Sequence, residues 1–312
     1  MMEVQKLVAK QAAPAPKPTE PEPDRRDQGA VWPMKLSQFM QGGWLEPADI
    51  VLSRKNGNFV SKLIRLVTKS HFSHSALVYV TPRFDPNYDN TFVIEAGTRG
   101  VDLANLARYV NDERSVSAVL RLNKAWFKDD VRGRVRGLVL NYIDAGYDYG
   151  IVLQILHNAW FRVKRSVEGH KRAVHGYTRK GRMAPTKFIC SGFVQIGFIE
   201  AVAELVATGK LPRETLKEVV YTPAGLDALP KDLDALSAEE LKAVLEEFQE
   251  DVQDFLEAVT PQDLAKSGNL EWRYVLRDGV AYRVTDAKEA QKLLYWKVKQ
   301  PRLQNTPAQA LS

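Results

Sequence analysis

Phe188-Ile189-Cys190-Ser191-Gly192-Phe193 opens the most apolar helix-length run of the chain, which continues to Val206 and is stopped by Gly209 and Pro212. It also holds the only cysteine. A thiol at the first turn of a helix faces the positive end of the helix dipole, which favours the thiolate. The small residues Ser191 and Gly192 let a carbonyl group approach the backbone N–H groups there, as an oxyanion hole requires. Taken alone, a cysteine in apolar surroundings more often reads as a small core residue. What the rest of the chain brings to it decides the matter.

Working upstream, Ser73-His74-Ser75-Ala76-Leu77-Val78 places His74 at the entry of a strand. Val93-Ile94-Glu95-Ala96 places a carboxylate on the next one. If these strands are neighbours, His74 and Glu95 meet on one sheet face. An imidazole that deprotonates a thiol needs such a partner on its other nitrogen, to fix the tautomer and stabilise the imidazolium.

The elements around these motifs alternate less clearly. Asp49–Leu52 and Val116–Leu122 have strand length and apolar content, and Phe59–Thr68 shows helical spacing. Asp130–Ala145 and Ile151–Val163 read as helices on either side of Gly146-Tyr147-Asp148-Tyr149-Gly150. Ser237 and Glu240 form a capping box that opens an acidic helix to about Val259. Trp272, Tyr274 and Leu276, the Asp278-Gly279 turn, then Val280, Tyr282 and Val284 spell a hairpin, followed by a short helix capped by Asp286. Residues 1–29, with five prolines and few large apolar side chains, read as a disordered tail. The expected organisation is therefore that tail, a catalytic domain over 30–228 with a basic insertion near 155–187, and an appendage over 229–312.

Composition sets outer bounds. A single cysteine excludes an intramolecular disulfide framework and a cysteine-based zinc cluster. No metal motif surrounds His157, His170 or His175, so no metal and no other cofactor is expected. The sequence shows neither a secretory h-region nor an uninterrupted apolar run of about 18 residues. Localisation is thus left open between the cytoplasm and a non-classical export route. The net charge of +6 is unevenly spread. Residues 160–189 carry nine Lys/Arg against one Glu, and 231–260 carry two Lys against ten Asp/Glu. A basic stretch of this kind suits an anionic surface, through Arg162, Lys164, Arg165, Lys171, Arg172, Arg179 and Lys180. No specific nucleic-acid motif accompanies it.

Ala48-Asp49-Ile50-Val51-Leu52, Ser73-His74, Val93-Ile94-Glu95-Ala96 and Ile189-Cys190-Ser191, in that order, resemble the circularly permuted branch of the NlpC-type papain-like superfamily. These are the YiiX-like hydrolases, related to lecithin–retinol acyltransferase. The order His, acid, Cys is the mark of the permutation, and Ala48 stands where the pattern prefers Gly. The resemblance spans about residues 44–226. It implies an α+β fold, with a small antiparallel sheet packed against the nucleophile helix and a helical and hairpin C-terminal appendage.

It also implies a thiol hydrolase. Cys190 would be the nucleophile, His74 the base and then the acid, and Glu95 the group that orients His74. Ser191, Tyr221 and His71 are further candidate substrate or oxyanion contacts. The bond attacked would be an amide in a peptide or cell-wall peptide, or an ester in an acyl lipid at an anionic membrane surface. From another class comes a binding module, in which the thiol is incidental and the basic segment holds an anionic partner.

Overall fold

The computed structural model describes residues 30–55, 61–62, 65, 70–83, 85, 89–97, 99–111, 115–143, 145–147, 187–188, 190–220 and 259–295. Along the chain run β1 (Met34–Lys35), α1 (Leu36–Gln41), β2 (Ile50–Lys55), β3 (His74–Val80), β4 (Phe92–Gly97), β5 (Gly100–Asn105) and α2 (Ala107–Val110). Then follow β6 (Ser115–Leu122), α3 (Asp129–Leu140), β7 (Gly146–Tyr147), β8 (Lys187–Phe188) and α4 (Cys190–Ala207). A 3₁₀ turn at Arg213–Glu218, α5 (Pro261–Ala265), β9 (Leu270–Arg277), β10 (Val280–Arg283) and α6 (Ala287–Tyr295) complete the described elements. The strands expected around Ile50, Ala76, Ile94 and Val119 are all present. So are the helices read over Asp130–Ala145, which ends at Leu140, and over Phe188–Val206, which begins at Cys190 with Phe188 in β8, and the Asp286 carboxylate caps α6 through the Glu289 N–H at 2.7 Å.

Eight strands pair antiparallel in the order β1-β10-β9-β6-β2-β3-β4-β5, while β7 and β8 form a separate parallel pair. Helices with an antiparallel sheet make this an α+β protein. The sheet is larger than the small one expected, for a reason that lies in β6. Every residue of β6 is buried, so both of its edges need a partner. β2 covers one edge, with Val51 opposite Val119, and β9 covers the other, with Ala118 opposite Val275. The hairpin expected as part of an appendage is therefore built into the sheet. Its two-residue turn has φ of +53° at Asp278 and +74° at Gly279, the left-handed conformation that matches strand twist.

Two apolar clusters flank the sheet. One packs Ile50, Leu52, Leu77 and Ile94 with α3 and α4; the other packs Val51, Val78, Val93 and Val119 with Phe39 and Leu106. α4 lies over β3 and β4 and against α3. It is long and apolar enough to cross a membrane by length and composition, and fourteen of its eighteen residues are buried in the fold. A helix apolar on all sides is what a core position requires.

Its crossing with α3 depends on Gly197. A Cβ built there would lie 2.4 Å from Val139 Cγ1. Gly197→Ala is therefore expected to destabilise the protein by about 1–3 kcal/mol. Chemical denaturation should show the loss, and Val139→Ala in the same chain should recover part of it because the two side chains share one space.

Asp49, the polar residue of the first motif, has a structural occupation. It is fully buried, and both of its oxygens accept from Arg121, Oδ1 from Nε and Oδ2 from Nη2, each at 2.7 Å. Oδ2 also accepts the Glu46 N–H at 2.8 Å. Glu46 in turn pairs with Arg121 Nη1 at 3.0 Å and Arg132 Nη2 at 2.9 Å. This network ties the turn before β2 to β6 and α3. Ala48 in that turn has φ of +66°, which explains why glycine suits the position.

The tail over 1–29, the helix expected at 151–163, the acidic helix opened by Ser237 and Tyr221 lie outside the described residues, as does the basic stretch from Arg162 to Lys180. Of the helix expected at 59–68, Ser61, Lys62 and Arg65 are described, all helical.

Candidate active site

β3 and β4 are hydrogen-bonded neighbours, with Leu77 opposite Ile94. Counting out from that pair, His74 and Glu95 project on the same face as diagonal neighbours, close enough for side chains to meet. They do: His74 Nε2 is paired with Glu95 Oε2. Cys190 is buried at the first residue of α4, where the helix N-terminus reaches the start of β3. The imidazole and the thiol lie close enough to act on each other electrostatically. Since Nε2 is engaged by Glu95, Nδ1 is the nitrogen left to face sulfur. The structure thus brings together the three residues singled out in the sequence.

The electrostatics of the pair favour separated charge. Burial disfavours the His74 imidazolium. The negative sulfur, its hydrogen bond and the Glu95 carboxylate outweigh burial and raise the ring to about 10. Burial likewise works against the Cys190 thiolate. The His74 charge and hydrogen bond, with the backbone and side chain of Ser75, pull the thiol below its ordinary value. Each charge stabilises the other.

Two residues without a sequence motif complete the surroundings. The Tyr109 hydroxyl donates to Glu95 Oε2, and its ring lies nearly parallel to the imidazole, with centroids 5.6 Å apart and planes at 14°. Arg108 Nη1 lies 3.5 Å from the other oxygen, Oε1. Both come from α2, four residues long, in the connection between β5 and β6. An Arg-Tyr dipeptide in a short polar connection carries no periodicity or spacing that could have singled it out.

The remaining candidates separate from this centre. The Ser191 hydroxyl donates to the Val259 carbonyl at 2.5 Å and is fully buried. That side chain is committed to holding the segment that enters α5 and is not available to a substrate oxygen. Its backbone N–H stands in the first turn of α4, where helix donors lack partners within the helix. His71 points elsewhere, with its Nε2 paired to the Tyr295 hydroxyl and its backbone N–H donating to Gln262 Oε1 at 3.2 Å. Among the described residues no group of three or more His, Cys, Asp or Glu is arranged to hold a metal ion.

No family model matches this chain, and no curated protein matches it significantly in sequence. Among solved structures it is similar to the crystal structure of metalloprotein YiiX from Escherichia coli O157:H7, a DUF1105 protein. The identity is 17% and the TM-score 0.39, over 73% of this chain and 95% of that one.

Proposed function

We propose that this chain is a thiol hydrolase of the permuted papain-like kind that cleaves an amide bond through an acyl-enzyme. The observation that carries the reading is the Cys190–His74–Glu95 relay at the N-terminus of α4, with Cys190 and Glu95 buried, His74 partly exposed and the charges arranged as thiolate and imidazolium.

In this reading the Cys190 sulfur attacks the substrate carbonyl carbon, and the electron pair of the C=O bond moves onto oxygen. The N–H groups at the first turn of α4 face the place where that oxyanion forms. As the tetrahedral intermediate collapses, the C–N bond breaks and the His74 imidazolium gives its proton to the leaving nitrogen. The now neutral ring takes a proton from water, whose oxygen attacks the thioester carbonyl; the C–S bond then breaks, releasing the acid and returning Cys190 as the thiolate beside the His74 imidazolium. Glu95 keeps the ring turned toward sulfur through both steps, and Tyr109 keeps Glu95 turned toward the ring.

The test is capture of the acyl-enzyme. Candidate peptide amides and lipid esters are mixed with purified protein and quenched in acid, and the intact mass is read. The expected result is a mass increase equal to the acyl group, located on Cys190 and absent in Cys190→Ala. A peptide adduct supports the amide reading, and a fatty-acyl adduct moves it to the acyl-lipid alternative. Turnover of any such substrate by Cys190→Ala would overturn both.

A further inference from the structure

Residues 50–84 contain no Asp or Glu and six Lys/Arg; residues 290–312 likewise contain no acid and four Lys/Arg. The fold joins these two stretches. Arg54, near the end of β2, donates from Nη2 to the Leu294 carbonyl at 2.7 Å, and His71 meets Tyr295, their rings edge to face at 4.2 Å. Arg277, at the end of β9, donates to the neighbouring Leu293 carbonyl and pairs with Asp278 at 2.8 Å. The α6 carbonyls thus take up part of the charge of Arg54 and Arg277. Nothing comparable among the described residues serves Arg65. Among the described residues no side chain forms an ion pair with Arg54 or Arg65, and Nε of each is buried without a hydrogen-bond partner.

Like charges gathered in a half-buried place repel one another, and among the described residues only Arg277 of these has a carboxylate partner, Asp278. Burial, with Arg65 and Arg277 nearby, depresses the Arg54 guanidinium to about 10. Burial first, then Arg54 and Arg65, keep His71 below its ordinary value, so at neutral pH its ring is an uncharged hydrogen-bonding group. The cluster stands at the nucleophile's end of the sheet. Ser53, the residue before Arg54, lies opposite His74, and Leu52 lies opposite Ser75. Arg54 alternates with Leu52 and so projects on the same face as α4.

We propose that Arg54, Arg65 and His71 form a phosphate-binding site at the end of the sheet where β3 begins, apart from the Cys190–His74–Glu95 centre, and that it receives a phosphate group carried by the molecule being cleaved. Several guanidinium donors around one point suit a multiply charged tetrahedral oxyanion, which Arg binds through paired N–H···O bonds. That the phosphate belongs to the substrate rests on the thiol-hydrolase reading; that the cluster binds phosphate does not.

The experiment uses the full chain as wild type, Cys190→Ala, Arg65→Gln and Arg65→Lys, titrated at low salt with inorganic phosphate while the His71 ring is followed by NMR. A second arm uses vesicles of phosphatidylglycerol against phosphatidylcholine. Saturable phosphate binding is expected in wild type and equally in Cys190→Ala. It should weaken tenfold or more in Arg65→Gln, because a charged hydrogen-bond donor to the phosphate is lost, and partly return in Arg65→Lys.

Arg65-dependent binding to phosphatidylglycerol vesicles assigns the phosphate to a lipid head group. Binding of free phosphate without it assigns the group to a soluble ester. An affinity unchanged by Arg65→Gln, or no saturable response to either probe, overturns the site. Phosphate binding in a protein that forms no acyl-enzyme would keep the site and refute only its link to catalysis.

Discussion

Cys190→Ala and His74→Ala are expected to abolish turnover, by a factor on the order of 10⁴ or more, with the fold intact. Glu95→Gln should keep a measurable fraction, because nucleophile and base still meet. The pH dependence follows from the charge pair. Below the depressed Cys190 value the sulfur is protonated and attack fails. Above about 10 the His74 proton is gone and the leaving nitrogen has no acid. Activity should therefore rise on the acid side below the ordinary thiol range, stay level through neutral pH, and fall as pH passes about 10.

Iodoacetamide gives the same information without a substrate. Wild-type Cys190 should alkylate as a thiolate at pH 7. His74→Ala removes the positive neighbour, leaves a buried thiol, and should slow the reaction on the order of a hundredfold, the thiolate deficit of an unassisted cysteine. Equal rates in wild type and His74→Ala would refute the charge pair.

The second large effect concerns stability. Asp49→Ala leaves the buried Arg121 guanidinium without its two-point partner, beside a Glu46 that Arg132 already shares. The expected loss is about 3–5 kcal/mol, read from the midpoint of chemical denaturation. Replacing Asp49 and Arg121 together by apolar residues of similar volume should cost much less than the single change. A network in which single and double variants lose the same amount would refute the account.

The catalytic candidates were legible because each sits at a position that local sequence defines. His74 begins an apolar strand, Glu95 lies within one, and Cys190 opens an apolar helix. Asp49 was visible as a motif residue, but its bond to Arg121 spans 72 positions in the chain and no local pattern encodes it. The hairpin over Trp272–Val284 was equally legible as a hairpin. Period-2 alternation shows which residues share a face but not which strand the hairpin will join, so its place beside β6 could not be read. β5 was missed because Gly-Val-Asp-Leu-Ala-Asn alternates poorly. It is an edge strand whose Leu103 is 45% exposed, so half of its side chains answer to solvent. With β5 missed, α2 and the Tyr109 contact to Glu95 went with it.

The pairing of β6 with β9 also sets a schedule for the protein's birth. Leu122 and Leu270 lie side by side, yet about 150 residues of synthesis separate them. At ~5–20 residues per second a ribosome needs about 7–30 s to deliver β9 after β6 has emerged. Through that interval β6 offers a row of unpaired backbone groups and apolar side chains, the kind of surface on which nascent chains stick to one another. Closing so long a loop is also slow in itself. Yield in cells should therefore depend on chaperones that shield this strand, and a pause in translation between β6 and β9 lengthens the hazard, whereas a pause after β10 does not.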